Sequence, residues 1–158
     1  QALLQADVPG LVLDVHGPLS DYHGSAAYTE ALADLARADE RIRLHGPFRA
    51  PDLARVLASL DGLAAPSRWA EVFGLSAREA RAVGLPVLAA GRAGLAEWEG
   101  AAGLTLVTGV GLEDWTRALS NFDFTPTAPE PLTSVETMAG EFLALYGAVC
   151  SEAAAGAV

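Results

Sequence analysis

PSRWAEVFGLSAREARAVGLPV, residues 66–87, decides how this chain is read. It follows a short apolar run, residues 62–65, that reads as a strand ending at Pro66-Ser67. A glycine-containing turn comes next, Glu71-Val72-Phe73-Gly74, and opens a helix over about 74–82 that stops near Gly84. A second strand occupies residues 85–90. Two acids eight positions apart, Glu71 and Glu79, stand in the turn and the helix. That arrangement suits an anionic ligand rich in hydroxyls. Amides at the turn and helix start face phosphate, while carboxylates accept hydrogen bonds from vicinal hydroxyls.

Outward from this stretch the same alternation repeats. Residues 11–15, an apolar run with Asp14 inside it, predict a strand ending at His16-Gly17. Ser25 can cap a helix whose apolar side holds Tyr28, Ala31, Leu32 and Leu35. Residues 41–44 predict a strand before the turn His45-Gly46-Pro47. Pro51 suits the first turn of the next helix, with Leu53, Val56, Leu57 and Leu60 forming one stripe. A strand at 104–107 and a helix at 113–119, with Trp115 and Leu119 available for packing, complete the series. Strand, helix, strand repeated in this way predicts an α/β fold, a Rossmann-like parallel sheet with helices on both faces.

The expected organisation is one Rossmann-like domain over residues 1–120, then a crossover and C-terminal helix over 121–150, then a flexible tail at 151–158. Residues 121–131 are polar and contain three prolines, as a surface crossing would. The helix expected from Ser134 to about Tyr146 has an apolar side of Val135, Met138, Phe142 and Leu145. There is no internal repeat.

Composition narrows the function classes. Half the residues, 51%, are apolar, which predicts a folded domain. Twenty acids against ten bases leave a net charge of −10, so there is no basic field for nucleic acid. Every base is arginine; the chain has no lysine. Cys150 stands alone and reads as a bland thiol, and no cluster predicts a metal site. No transmembrane segment or signal peptide is read in the sequence, and a cytoplasmic setting is expected. The chain starts without Met, in what reads as helix, and so is taken as a piece of a longer protein.

Ser76 and Glu79 have capping-box spacing, so Glu79 has a purely structural reading as an amide cap. Against that reading, the turn at Glu71 lies at the carboxyl end of a predicted strand, the edge where open parallel sheets bind ligands. His16 and His45 also end strands and can meet phosphate or a neighbouring acid; satisfied structural histidine is the favoured reading.

The ordered set of Pro66-Ser67, Glu71 and Glu79, Phe73-Gly74, Glu79-Ala80 and Gly84-Leu85-Pro86-Val87 resembles the large retaining glycosyltransferase family that includes sucrose synthase, glycogen synthase and many bacterial polysaccharide enzymes. The similarity extends over about residues 11–119. It implies the two-domain GT-B architecture, with this chain as its C-terminal, donor-binding half. On that resemblance Glu71 is the carboxylate that binds the donor sugar and the candidate catalytic residue. Val72, Phe73, Gly74 and Leu75 cradle sugar and diphosphate, and Glu79 holds the ribose. Gly46, Pro47 and Phe48 form a wall near the base, and Ser67 and Arg92 are further donor-binding candidates. The family's loop after the next strand often has consecutive glycines, where this chain has Gly91-Arg92-Ala93-Gly94.

The resemblance also implies what lies elsewhere: an arginine–lysine pair for the diphosphate and an N-terminal acceptor-binding domain, both upstream of Gln1. The expected partner is a nucleotide-diphosphate sugar, used as donor substrate with no cofactor. The expected chemistry is same-face substitution on the donor sugar, with polysaccharide biosynthesis as the setting. The isolated piece is expected to be inactive, and any membrane contact is expected to come from the missing domain. Two other classes fit the same sheet, a sugar-nucleotide epimerase and a noncatalytic nucleotide-binding module. A dinucleotide dehydrogenase loses force because no G-x-G-x-x-G follows the first strand.

Overall fold

A computed structural model describes residues 1–20 and 26–155. The proposed cap Ser25, the second half of the loop after the first strand and the last three residues lie outside them. The elements run α1 (Ala2–Gln5), β1 (Leu13–His16), α2 (Ala27–Ala38), β2 (Ile42–Gly46), α3 (Leu53–Leu57), β3 (Leu63–Ala65), α4 (Leu75–Ala82), β4 (Val87–Ala90), β5 (Leu104–Val107), α5 (Leu112–Ser120) and α6 (Val135–Ala155). Short 3-10 turns precede α3 at Ala50–Asp52 and follow β4 at Ala93–Trp98. The predicted α/β order is therefore found, with strand boundaries shifted by one or two residues.

All strand pairs are parallel. They form two ladders, β1–β2 and β3–β4–β5, where one continuous sheet was expected. Short strands explain the break. β3 has three residues, all paired to β4, and β1 loses register with β2 between Val15 and His16.

β4 is the centre of the domain. Val87, Leu88, Ala89 and Ala90 are at most 2% exposed, and successive strand residues point to opposite faces. Both faces of β4 are therefore covered. Val87 and Ala89 join Leu57 of α3, Ala77 and Ala80 of α4, Leu85 and Leu95 in one cluster. Burying Leu88 on the other face contributes about 1.5–3 kcal/mol. α4 packs on β3 and β4, α5 on β5, and α1 on α5. At the α2–β2 turn the Arg41 guanidinium hydrogen-bonds Asp39 and holds its carboxyl below the ordinary carboxylate range. That contact supports the fold at neutral pH and is lost as the pH falls through the lowered value.

The crossover after α5 closes one end of the three-stranded sheet. Gly62, Gly84 and Gly103 stand just before β3, β4 and β5, and each is touched by a crossover side chain or carbonyl. Phe122 and Phe124, packed edge to face with ring centres 4.8 Å apart, lie against Gly62. Thr127 sits on Gly84 and Gly103 and donates its N–H to the Gly84 carbonyl at 2.9 Å. Gly84 ends α4, as the sequence predicts, in the left-handed region at φ +81°. It has a second duty, because a Cβ there would meet the Thr127 carbonyl at 2.4 Å. A cavity of about 260 Å³ between β5 and the crossover belongs to this amino end of the strands.

α6 corrects the sequence reading at its far end. It runs through Ala155, past the expected stop near Tyr146, so residues 151–155 are helical and not tail. Its closing residues include Ala153, Ala154 and Ala155, the strongest helix formers. Val135, Met138, Phe142, Leu143, Leu145, Tyr146 and Val149 are all exposed on it, and Cys150 is exposed too.

Gly84→Ala is expected to destabilise the domain by roughly 2 kcal/mol or more, through left-handed strain and the lost seat of Thr127. Urea unfolding of the variant beside Gly103→Ala, which meets the same threonine, checks the assignment.

Candidate functional site

The carboxyl ends of β3 and β4 bear two loops that lock together. From β3 the chain runs through Pro66 to Gly74 and enters α4 directly. From β4 it passes Gly91 and Arg92 into the 3-10 turn. The Gly94 N–H donates to the Glu71 carbonyl at 3.0 Å. A Cβ on Gly94 would fall 1.9 Å from the Val72 carbonyl oxygen, so glycine is required for this approach.

Gly74 turns the first loop into the helix. It is the N-cap of α4 with φ +61° and ψ 53°, and an added Cβ would lie 2.5 Å from Leu95. Ser76 is therefore inside the helix, and no side chain caps α4. The capping-box reading of Ser76 and Glu79 is overturned. Glu79 lies a full turn into the helix and has no hydrogen-bond or ion-pair partner among the described residues. The Glu71 carboxylate is likewise unpartnered among them, with Oε2 beside Gly74.

Between the two acids lies a run of unused donors. Among the described residues, no protein acceptor serves the N–H groups of residues 72–77; the first regular helix bond is from Arg78 to Gly74. Free amides at a helix start carry partial positive charge and point outward. Around them the loop is exposed and apolar: Val72 is 87% exposed, Leu75 65% and Phe73 51%. Phe73 is thus not a core residue. Glu71, Val72, Phe73, Gly74, Leu75 and Glu79 are brought together on one loop and the helix it opens.

The remaining candidates divide. Ser67 is partly buried in the same loop, and the Arg92 side chain donates to the Arg68 carbonyl at 3.4 Å, joining the two loops again. Gly46, Pro47 and Phe48 belong to a separate group at the end of β2. There His16 and His45 stack with ring centres 4.4 Å apart, Phe48 meets His16 edge-on, and His45 Nε2 lies 2.5 Å from the Asp14 carboxylate. The predicted contact of a strand-end histidine with a neighbouring acid is found. No hydrogen bond, ion pair or ring contact among the described residues links this group to Glu71 or Glu79.

Sequence reasoning missed Arg78 and Trp98. The Arg78 guanidinium lies 4.0 Å from the centre of the Phe73 ring and 4.3 Å from that of Trp98. The available signal was Arg78 and Arg81 at i, i+3 on one helix face. Their aromatic partners come from two different loops, which spacing does not reveal.

The family model for glycosyl transferases group 1 matches residues 2–122. The chain is 41% identical over 142 residues to a D-inositol 3-phosphate glycosyltransferase of Actinosynnema mirum, covering 83% of this chain and 32% of that protein. It is 38% identical over 117 residues to the Mycobacterium marinum protein of the same name, covering 72% of this chain and 25% of that one. A Rhodococcus erythropolis protein of that name is 39% identical over 127 residues, 75% of this chain and 28% of its own. No solved structure matches the chain. The parallel α/β order is that of a Rossmann-like domain. The chain belongs to the glycosyl transferases group 1 family, and it spans about a quarter to a third of the curated relatives it matches.

Two substitutions test the docked loops. Gly94→Ala is expected to cost about 2–3 kcal/mol in denaturant unfolding, since it drives a methyl into the Val72 carbonyl. Ala93 occupies φ +49°, a left-handed conformation costing an alanine about 1–2 kcal/mol. Ala93→Gly relieves that strain and is expected to raise stability by roughly 0.5–1 kcal/mol after the added unfolded-state entropy.

Proposed function

We propose that this chain is the donor-binding domain of a retaining glycosyltransferase, which moves a sugar from a nucleoside-diphosphate sugar to an acceptor hydroxyl. One observation carries the reading: two unpartnered carboxylates, Glu71 and Glu79, flank a run of amides with no protein acceptor. Family membership supports it, and so do relatives named for transfer to D-inositol 3-phosphate. That phosphorylated cyclitol is the acceptor to test first.

The roles follow from the chemistry of each group. Glu71 accepts hydrogen bonds from sugar hydroxyls and fixes the anomeric carbon relative to the leaving diphosphate. Amides of residues 72–77 receive phosphate oxygens. Glu79, a turn further along, accepts from the ribose hydroxyls. Each charge-assisted bond favours the bound orientation by about 1.5–3 kcal/mol before desolvation is subtracted. Substitution on the same face of the sugar passes through an oxocarbenium-like state, with the incoming hydroxyl aligned by the rest of the longer protein. In this scheme binding precedes any membrane or acceptor contact, and the domain alone turns over no donor.

Calorimetric titration with UDP-glucose, ADP-glucose and GDP-mannose, each beside its nucleoside diphosphate, tests the division of labour. Glu71→Gln is expected to weaken the preferred sugar nucleotide roughly tenfold, while nucleoside diphosphate changes less than about twofold. Glu79→Gln is expected to weaken both alike. Equal losses for Glu71→Gln on the two ligands would remove its sugar-specific role, and a wild-type chain binding none of the panel would remove the donor-binding reading.

A further inference from the structure

We infer that Arg78 is a positioning residue that sets the Glu71 loop. Its relevance to donor recognition rests on the reading just given, but its geometry stands on its own. The Arg78 guanidinium is inserted between two aromatic rings, Phe73 from the loop after β3 and Trp98 from the turn after β4. Arg78 Nε also points at the Phe73 carbonyl, at 3.4 Å. Phe73 is two residues from Glu71 and next to the helix-capping Gly74. Gly94 therefore holds the loop at Glu71 and Val72, and Arg78 holds it at Phe73.

The stack continues away from the loop. Arg81, one turn further along α4, lies 5.6 Å from the centre of the Trp98 ring and pairs with Glu130 of the crossover. The Arg81 side chain is only 12% exposed, and the Glu130 N–H donates to the Arg81 carbonyl at 3.0 Å. Phe73, Arg78, Trp98, Arg81 and Glu130 thus form one run of contacts that joins the exposed loop to the crossover. A planar guanidinium fits between two rings where an ammonium contacts them as a point charge. Arginine is consequently the side chain this position selects.

Amide exchange on the purified chain, followed residue by residue by NMR, tests the assignment without any ligand. In Arg78→Ala the Gly94 amide, which donates to the Glu71 carbonyl, is expected to exchange roughly fivefold faster, the loss of an exposed cation–π contact. Leu88 and Ala89 of β4 are expected to stay within about twofold of wild type. Arg78→Lys keeps the charge and is expected to restore part of the protection. Unchanged exchange at Gly94 in Arg78→Ala overturns the inference. Acceleration spread equally over β4 overturns it as well, since Arg78 would then support the whole fold. Titration of the same variants with UDP-glucose, ADP-glucose and GDP-mannose separates the two readings. A wild-type chain that binds none of them counts against donor binding, while the exchange pattern still decides Arg78.

Discussion

The close approach of Gly94 to the Glu71–Val72 peptide is the contact on which the rest of the site depends. Two loops from neighbouring strands have no reason to share a conformation unless something ties them. Here the Gly94 N–H to Glu71 carbonyl bond is the backbone tie, and it forms because no Cβ stands in the way. Once the loops are joined, Leu95 falls against Gly74, which lets α4 start in the left-handed turn and leave its first amides open. The neighbouring Ala93 bears the strain of that docking. The resemblance implies glycines in this loop, and the positive φ of Ala93 shows why they suit it.

The two ends of the three-stranded sheet are treated differently, and the difference explains where a ligand can go. At the amino ends, glycines before each strand admit the crossover, whose phenylalanines and threonine close that edge. At the carboxyl ends of β3 and β4, the loops stand exposed with apolar side chains outward. A cavity lies at the closed end, yet the unpaired carboxylates and amides lie at the open one. Chemistry outweighs volume here: a site for a charged, hydroxylated molecule needs directed donors and acceptors.

Much of this was legible in the chain itself. The alternation of apolar runs with glycine and proline punctuation predicts every strand from β1 to β5, because parallel β-α units repeat the same local signals. The Glu71–Gly74 turn was legible for a similar reason, a glycine between strand and helix. Three things were not. The break into two ladders is a matter of long-range strand pairing, which local patterns do not reveal. The cap of α4 depends on the Gly74 torsions, which spacing arguments assign to Ser76 just as readily. The Arg78 column requires Phe73 and Trp98 to converge, residues 25 apart in sequence. The Arg78 column is tertiary in origin, whereas the helical end of α6 reflects a local signal, the alanines at 153–155.

A domain with net charge −10 is an unexpected host for a diphosphate, and magnitudes resolve the tension. At physiological ionic strength charges are screened over about 8 Å, so acids spread over the surface contribute little at the loop. Amides of residues 72–77 act within hydrogen-bond reach and are not screened in that way. Their partial charge is nonetheless small, about half a unit at a helix N-terminus. That is enough to orient a phosphate group and too little to stabilise a departing diphosphate, which carries several times that charge. On the proposed function, this geometry favours recognition of the ground state, with Glu71 assigned to the sugar. On that same proposal, stabilising the leaving group falls to cations beyond this run of amides.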